Sequence, residues 1–333
     1  MSSGQATSAD WSQTRERSNR FALRFISWVA VHGGRGAARV LLWPITTYFL
    51  LFNGQARRHS QRYLTRALGH TPTWRDQWRH FHRFASTVLD RVYFLREMTH
   101  CFDLRVDGAA QLQQVLAAGQ GAFLVGAHVG SFEALAAAGR ANGCSNIAMV
   151  MYPDNARMIN AALQAIAPDF EMRIIPLGQR GTMLAIRDWL DGGGLVGLLA
   201  DRSLPGSAQR DTIHRLPFLG VEAPFAEGPF RLAQLLRRPV FLMAGLYNGG
   251  RAYHVRFEPL ADFSEPAADA AGRDQQVRAA VRAYAARLEA LCREAPYNWF
   301  NFHDFWLEDG GVAAARDAAD ARDGAGRTGD RTG

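Results

Sequence analysis

The sequence predicts an α/β fold: a mainly parallel central sheet with an antiparallel edge hairpin, flanked by helices and preceded by a membrane-associated helical hairpin. Three observations carry that expectation. From Gly108 onward, helical and strand patterns alternate at the spacing of βαβ units. The run Gly121 to Ala127 is small and apolar throughout, as suits a strand covered on both faces. The trio Asn248-Gly249-Gly250, set between two β-like runs, is a hairpin signal.

At 333 residues, 48% hydrophobic and 21% charged, the chain can bury a sizeable core in one large domain or two small ones. Its formal charge is +7, and since no lysine occurs, arginine carries all of the positive charge. Arginine grips phosphate and carboxylate with a planar fork, although a coding bias against lysine gives the same composition. Cys101, Cys144 and Cys292 are widely spaced and lack any CxxC pairing, so neither a disulfide framework nor a zinc site is expected. They fit a reducing compartment. The polar N-terminus, MSSGQATSADWSQTRERSNR, has no apolar core of a secretory signal.

Four regions follow in order. Residues 1–18 read as disordered. Residues 19–100 read as apolar and amphipathic helix, beginning with the blocks Phe21 to Val31 and Val40 to Phe52. Each block is shorter than the ~20 residues that span a bilayer, and Pro44 would kink the second. Trp28, Arg39, Trp43, Tyr48, Arg57 and Arg58 at their margins are residue types that settle at a headgroup boundary. A hairpin lying in or on a membrane surface is therefore expected; a buried core hairpin is the plainer alternative. Gln55 to Leu95 is helical and arginine-rich, with stripes at Arg58, Arg62, Arg66 and at Arg75, Arg79, Arg83. Trp74, Trp78, Phe81 and Phe84 are interleaved at core spacing, which argues against nucleic acid.

Residues 101–308 hold the alternating unit. Helices are expected at 110–118, 134–141, 155–167, 182–190, 229–237 and 275–292. Strands are expected at 122–127, 146–151, 172–177, 195–200, 240–247 and 253–257. Residues 309–333, rich in Gly, Ala, Asp and Arg, read as a disordered tail.

The chemistry converges on GAFLVGAHVGSFEALAAAG, Gly121 to Gly139. A strand delivers His128, Gly130-Ser131 makes a turn, and a helix begins with Glu133 in its first turn. Five positions apart on one helix, His128 and Glu133 would point about 140° apart; the break lets them meet. A satisfied histidine beside an N-cap is the plain alternative. No GxSxG elbow, GxxxxGK[ST] loop, HExxH or clean GxGxxG is present. His80, His82 and His214 form no metal-ligand grouping. A base with a carboxylate and no protein nucleophile suits direct transfer, in which a substrate hydroxyl is deprotonated and attacks an activated acyl group. The N–H groups of Ser131 to Glu133 are candidate oxyanion donors.

HVGSFE resembles the H-x4-[D/E] motif of the lysophospholipid acyltransferase superfamily, and the layout resembles its bacterial lipid A biosynthesis (lauroyl/myristoyl) branch. The likeness runs from about Phe21 to Trp306. It includes Met151 to Leu163 (MYPDNARMINAAL), Leu198 to Ser203 (LLADRS), Leu216 to Ala233 (LPFLGVEAPFAEGPFRLA) and Asn298 to Phe300 (NWF). The resemblance implies His128 as general base, Glu133 as its orienting partner, and Asp201 and Arg202 as substrate-binding or charge-stabilising groups. It also implies Arg157 against the acidic part of the acceptor, and Ser131 among the substrate contacts. Arg202 stands where lipid A enzymes commonly show glutamine. The implied activity moves a fatty acyl chain from an acyl carrier protein or CoA thioester to a hydroxyl of a lipid A-like or other lipid, without a cofactor. The implied place is the cytoplasmic face of the inner membrane. An acyltransferase of an aryl-polyene pigment pathway, a thioesterase, and a non-catalytic membrane-surface homologue are the alternatives.

Overall fold

The computed structural model describes residues 32–143, 146–167, 172–201, 212–265 and 267–306. Both expected disordered ends, the apolar block Phe21 to Val31, Cys144 and Arg202 lie outside the described residues.

Three helices come first: α1 (Gly34–Phe52), α2 (Gly54–Leu68) and α3 (Trp74–Leu95). Helix α1 buries Ala38, Leu42, Thr46 and Leu50, spaced four apart on one face, although Pro44 sits inside it. Its other face leaves Val40, Trp43, Phe49 and Phe52 exposed. The expected hairpin is thus described only in its second arm, which packs on α3 rather than standing apart. Among the described residues no helix is long and apolar enough to cross a membrane. The helical stretch 55–95 is divided where Gly69 takes a left-handed conformation (φ 75°) and ends α2. Thr73 and Asp76 then form a reciprocal capping box that starts α3. On α3 Phe81 is buried as its spacing predicts, while Trp74 and Phe84 are exposed.

The remaining elements are β1 (Asp103–Asp107), α4 (Ala109–Ala117), β2 (Ala122–Gly126), α5 (Phe132–Ala141), β3 (Ile147–Met151) and α6 (Pro153–Ile166). Next come β4 (Arg173–Pro176), α7 (Thr182–Asp191), β5 (Leu195–Leu199), β6 (Ile213–Phe218) and β7 (Val221–Ala226). The last are α8 (Gly228–Leu235), β8 (Pro239–Gly249), β9 (Ala252–Asp262) and α9 (Ala270–Glu294). Seven strands form one sheet in the order β1-β9-β8-β2-β5-β3-β4, parallel at every neighbour except β8–β9.

Two features differ from the sequence reading. The antiparallel hairpin is not at the edge, because β1 pairs in parallel with β9 and caps it. Strand β1, DLRVD, is short and only half-buried, so it lacks the apolar signature of the inner strands. Strands β6 and β7 form a separate two-stranded sheet whose turn, Leu219-Gly220, has positive φ at both residues.

The core lies on both faces of the large sheet. One face packs Phe123 and Val125 of β2 against Val281, Tyr284 and Leu288 of α9; the other packs Leu124 against Leu89 and Val92 of α3 and Ala134 and Ala138 of α5. Strand β2 is buried at every position, as a central parallel strand between two helical layers must be.

Candidate active site

Strands β2 and β5 are parallel neighbours, with Gly126 opposite Leu199 as their last pair. The pairing runs one step further, since the Ala200 N–H donates to the Gly126 carbonyl at 3.0 Å. One residue beyond, at the carboxyl end of the sheet where open α/β sheets bind ligands, His128 meets Asp201. The ring donates from Nδ1 to Asp201 Oδ1 (2.9 Å) and the His128 backbone N–H donates to Oδ2 (2.9 Å). A third donor, Nε1–H of Trp299, reaches Oδ2 at 2.9 Å. Asp201 is 1% exposed. Burial alone would raise its pKa, but the charge of His128 and three hydrogen bonds outweigh it and hold the carboxyl at about 2. A carboxylate acceptor at Nδ1 sets the tautomer with the proton there and leaves the Nε2 lone pair available.

The loop between β2 and α5 is clamped on both sides. Gly130 donates its N–H to Asn298 O (2.8 Å), Phe300 donates to His128 O (2.9 Å), and Ser131 donates to Gly245 O on β8 (2.8 Å). Gly130 has φ 70°, and a Cβ there would sit 1.8 Å from the Gly245 carbonyl oxygen. No other residue fits.

Glu133, expected as the partner of His128, makes its bonds elsewhere. Its Oε2 accepts from Ser131 Oγ (3.0 Å) and its Oε1 pairs with Arg91 Nε (2.6 Å). The Nδ1 position is already filled by Asp201, delivered by the adjacent strand rather than by the following helix. Ser131 caps α5, accepting from Ala134 N at 3.2 Å. With its own N–H spent on Gly245, it is not an oxyanion donor; Phe132 and Glu133, in the first helical turn, have no intrahelical acceptor for theirs.

His128, Arg91 and Glu133 open onto a cleft of ≈ 340 Å³ whose walls are Phe84, Thr87, Val88, Phe132, Phe300, Phe302 and His303. Among the described residues no serine or cysteine lines it, and the Thr87 hydroxyl donates to Phe84 O. His128 is 29% exposed into this space, and its Nε2 meets no protein acceptor or donor among the described residues.

The model of the family described as bacterial lipid A biosynthesis acyltransferase matches residues 26–308. The chain belongs to that family. Comparison with curated proteins finds no match to it. Membership makes it one of a group of acyltransferases that work on a lipid acceptor.

Of the other expected site residues of this acyltransferase, Arg202 lies outside the described residues, and Arg157, exposed on α6, does not line the cleft. Two residues of the site had no role in the sequence reading. Trp299, although inside the NWF block, gives no hint in sequence that its indole N–H reaches Asp201, 98 positions away. Arg91 was hidden among the many arginines of α3; its signal is its place four residues after Thr87 on the cleft face. His80 also gains a part: fully buried, it bonds Ser60 Oγ through Nδ1 (2.8 Å) and Trp299 O through Nε2 (2.9 Å). Burial lowers its pKa to about 4, against the raising effect of the Trp299 carbonyl. His82 stacks on Trp78, and His214 pairs with Glu227.

Proposed function

We propose that the chain transfers a fatty acyl group from an acyl carrier protein or CoA thioester to a hydroxyl of a lipid acceptor, lipid A-like in class, with His128 as general base. One observation carries the reading. A histidine with its Nδ1 locked to a buried carboxylate turns Nε2 into an aromatic-walled cleft that, among the described residues, offers no serine or cysteine. Nε2 takes the acceptor's hydroxyl proton as the oxygen attacks the thioester carbonyl carbon, and the carbonyl electron pair moves onto oxygen. The N–H groups of Phe132 and Glu133 are the candidate donors to that oxyanion. Collapse breaks the C–S bond, and the thiolate leaves with the proton held at Nε2.

Asp201 is the positioning residue, with Trp299 fixing Asp201 in turn. Glu133 holds Arg91 at the cleft wall, a polar station for the acceptor, and Arg157 on α6 is a second basic contact for its acidic part. Arg202, next to Asp201, is a substrate contact in the same reading. The aromatic walls suit an acyl chain. The exposed apolar face of α1 supports work at a membrane surface, on the cytoplasmic face of the inner membrane, and the +7 charge suits an acidic carrier.

Lipid mass spectrometry of source cells with and without the gene product, and with His128→Ala, tests this. Loss of one acylated species in both the deletion and the variant is expected. Transfer by His128→Ala at the wild-type level would refute the mechanism. Free fatty acid without any gain in acceptor mass would identify a thioesterase instead.

A further inference from the structure

Among the described residues three arginines converge on the β8–β9 turn, and only Arg35 finds a carboxylate there. Arg35 of α1 forks onto Asp90 at 2.8 and 2.8 Å, and Asp90 is fully buried. Arg39 of α1 and Arg83 of α3 have neutral partners instead. Arg39 Nη1 donates to the Tyr247 hydroxyl (2.7 Å) and the Gly250 carbonyl (3.2 Å). Arg83 Nη1 donates to the Tyr247 carbonyl (2.8 Å). Both guanidinium groups also lie over the Tyr247 ring, 5.9 and 4.9 Å from its centroid.

A guanidinium has five N–H donors. These bonds use Nη1 alone, so among the described residues Nε and Nη2 of both arginines bond no protein acceptor, and both side chains are half-buried. The local field is positive. The pKa of His82 is lowered to about 4, first by burial and then by the charges of Arg39 and Arg83. Arg83 is itself pushed below its usual value by burial, with Arg79 and Arg39 adding to the effect. Two like charges held over one ring by main-chain and phenol oxygens are costly to keep together unless an anion joins them. Location adds to this. Arg83 lies four residues before Thr87 of the cleft wall, about 6 Å along α3. Arg39 is followed by Val40 and Trp43, both largely exposed.

We propose that Arg39 and Arg83 form a binding site for a phosphate-type oxyanion beside the cleft. The oxyanion is either that of a lipid headgroup or free phosphate. That such a group belongs to the acyl acceptor rests on the transferase reading; that the pair holds an oxyanion does not.

Calorimetric titration of the purified chain with inorganic phosphate reads free anion. Flotation with phosphatidylcholine vesicles, with and without phosphatidic acid, reads the same group on a lipid. Arg39→Gln and Arg83→Gln should each weaken binding about fivefold. Loss confined to the inorganic phosphate arm identifies free phosphate, and loss confined to the phosphatidic acid arm identifies a headgroup. Wild-type binding of both probes by both variants, or no binding of either probe by the wild-type chain, would overturn the proposal. Should the variants fail to fold, phenylglyoxal labelling of the wild-type chain decides. The bound probe must protect Arg39 and Arg83 more than the exposed Arg282 of α9, and equal labelling would sink the idea. No arm reads acyl transfer, so a chain that transfers nothing can still hold the anion.

Discussion

Asp201→Asn is the sharpest perturbation of the site, because it keeps the shape and changes one proton. Asp201 Oδ2 accepts from two donors, the His128 N–H and the Trp299 indole, while Oδ1 accepts from the His128 ring. An asparagine has one acceptor oxygen, which belongs where two donors wait. Its NH2 then faces Nδ1 and donates to it. The proton moves to Nε2, and the base points its lone pair away from the acceptor hydroxyl. The expected loss is about 10³–10⁴-fold in kcat with KM nearly unchanged, the size seen when a positioning carboxylate is replaced by its amide. Stability falls as well. A carboxyl held at about 2 instead of 3.8 contributes about 2 kcal/mol at neutral pH. Since the folded pKa is depressed, that contribution is complete above about pH 4 and lost as pH falls toward 2. Thiol release from a long-chain acyl thioester, with a lipid extract as acceptor, measures the rate; denaturant titration at pH 7 and pH 2 measures the stability. An Asp201→Asn enzyme within tenfold of wild type would refute the reasoning.

Three further outcomes are expected. Glu133→Gln should raise KM more than it lowers kcat and leave the pH profile of kcat in place, because Glu133 acts on Arg91 and not on His128; a displaced profile would restore Glu133 as the partner of the ring. His80→Gln should flatten the acid dependence of stability. Buried His80, at about 4 in the folded chain against 6.5 when unfolded, makes the native state lose about 3 kcal/mol as pH falls from about 6.5 to about 4. The difference between wild type and variant across that window isolates it. Gly130→Ala should cost about 3 kcal/mol through a left-handed φ and a clash with Gly245 O, with activity lost even in the folded fraction; a melting temperature equal to wild type would contradict the clamp.

The sequence determined the alternation of strands and helices, the burial of Ala122 to Gly126, the turn at Gly130-Ser131 and the position of His128 at a strand end. These follow from local rules of periodicity, turn chemistry and strand length, which act over a few residues. It did not determine which carboxylate meets His128. Glu133 was nearest along the chain, yet Asp201, 73 positions away, holds Nδ1, because β5 is inserted next to β2 and ends in register with it. Neighbour order in a sheet is set by which crossovers pack, not by proximity in sequence. The same is true of Trp299 and Arg91, which reach the site from the far end of the chain and from α3. The residue types of the site were therefore legible in the sequence, and their pairing was decided only by the fold.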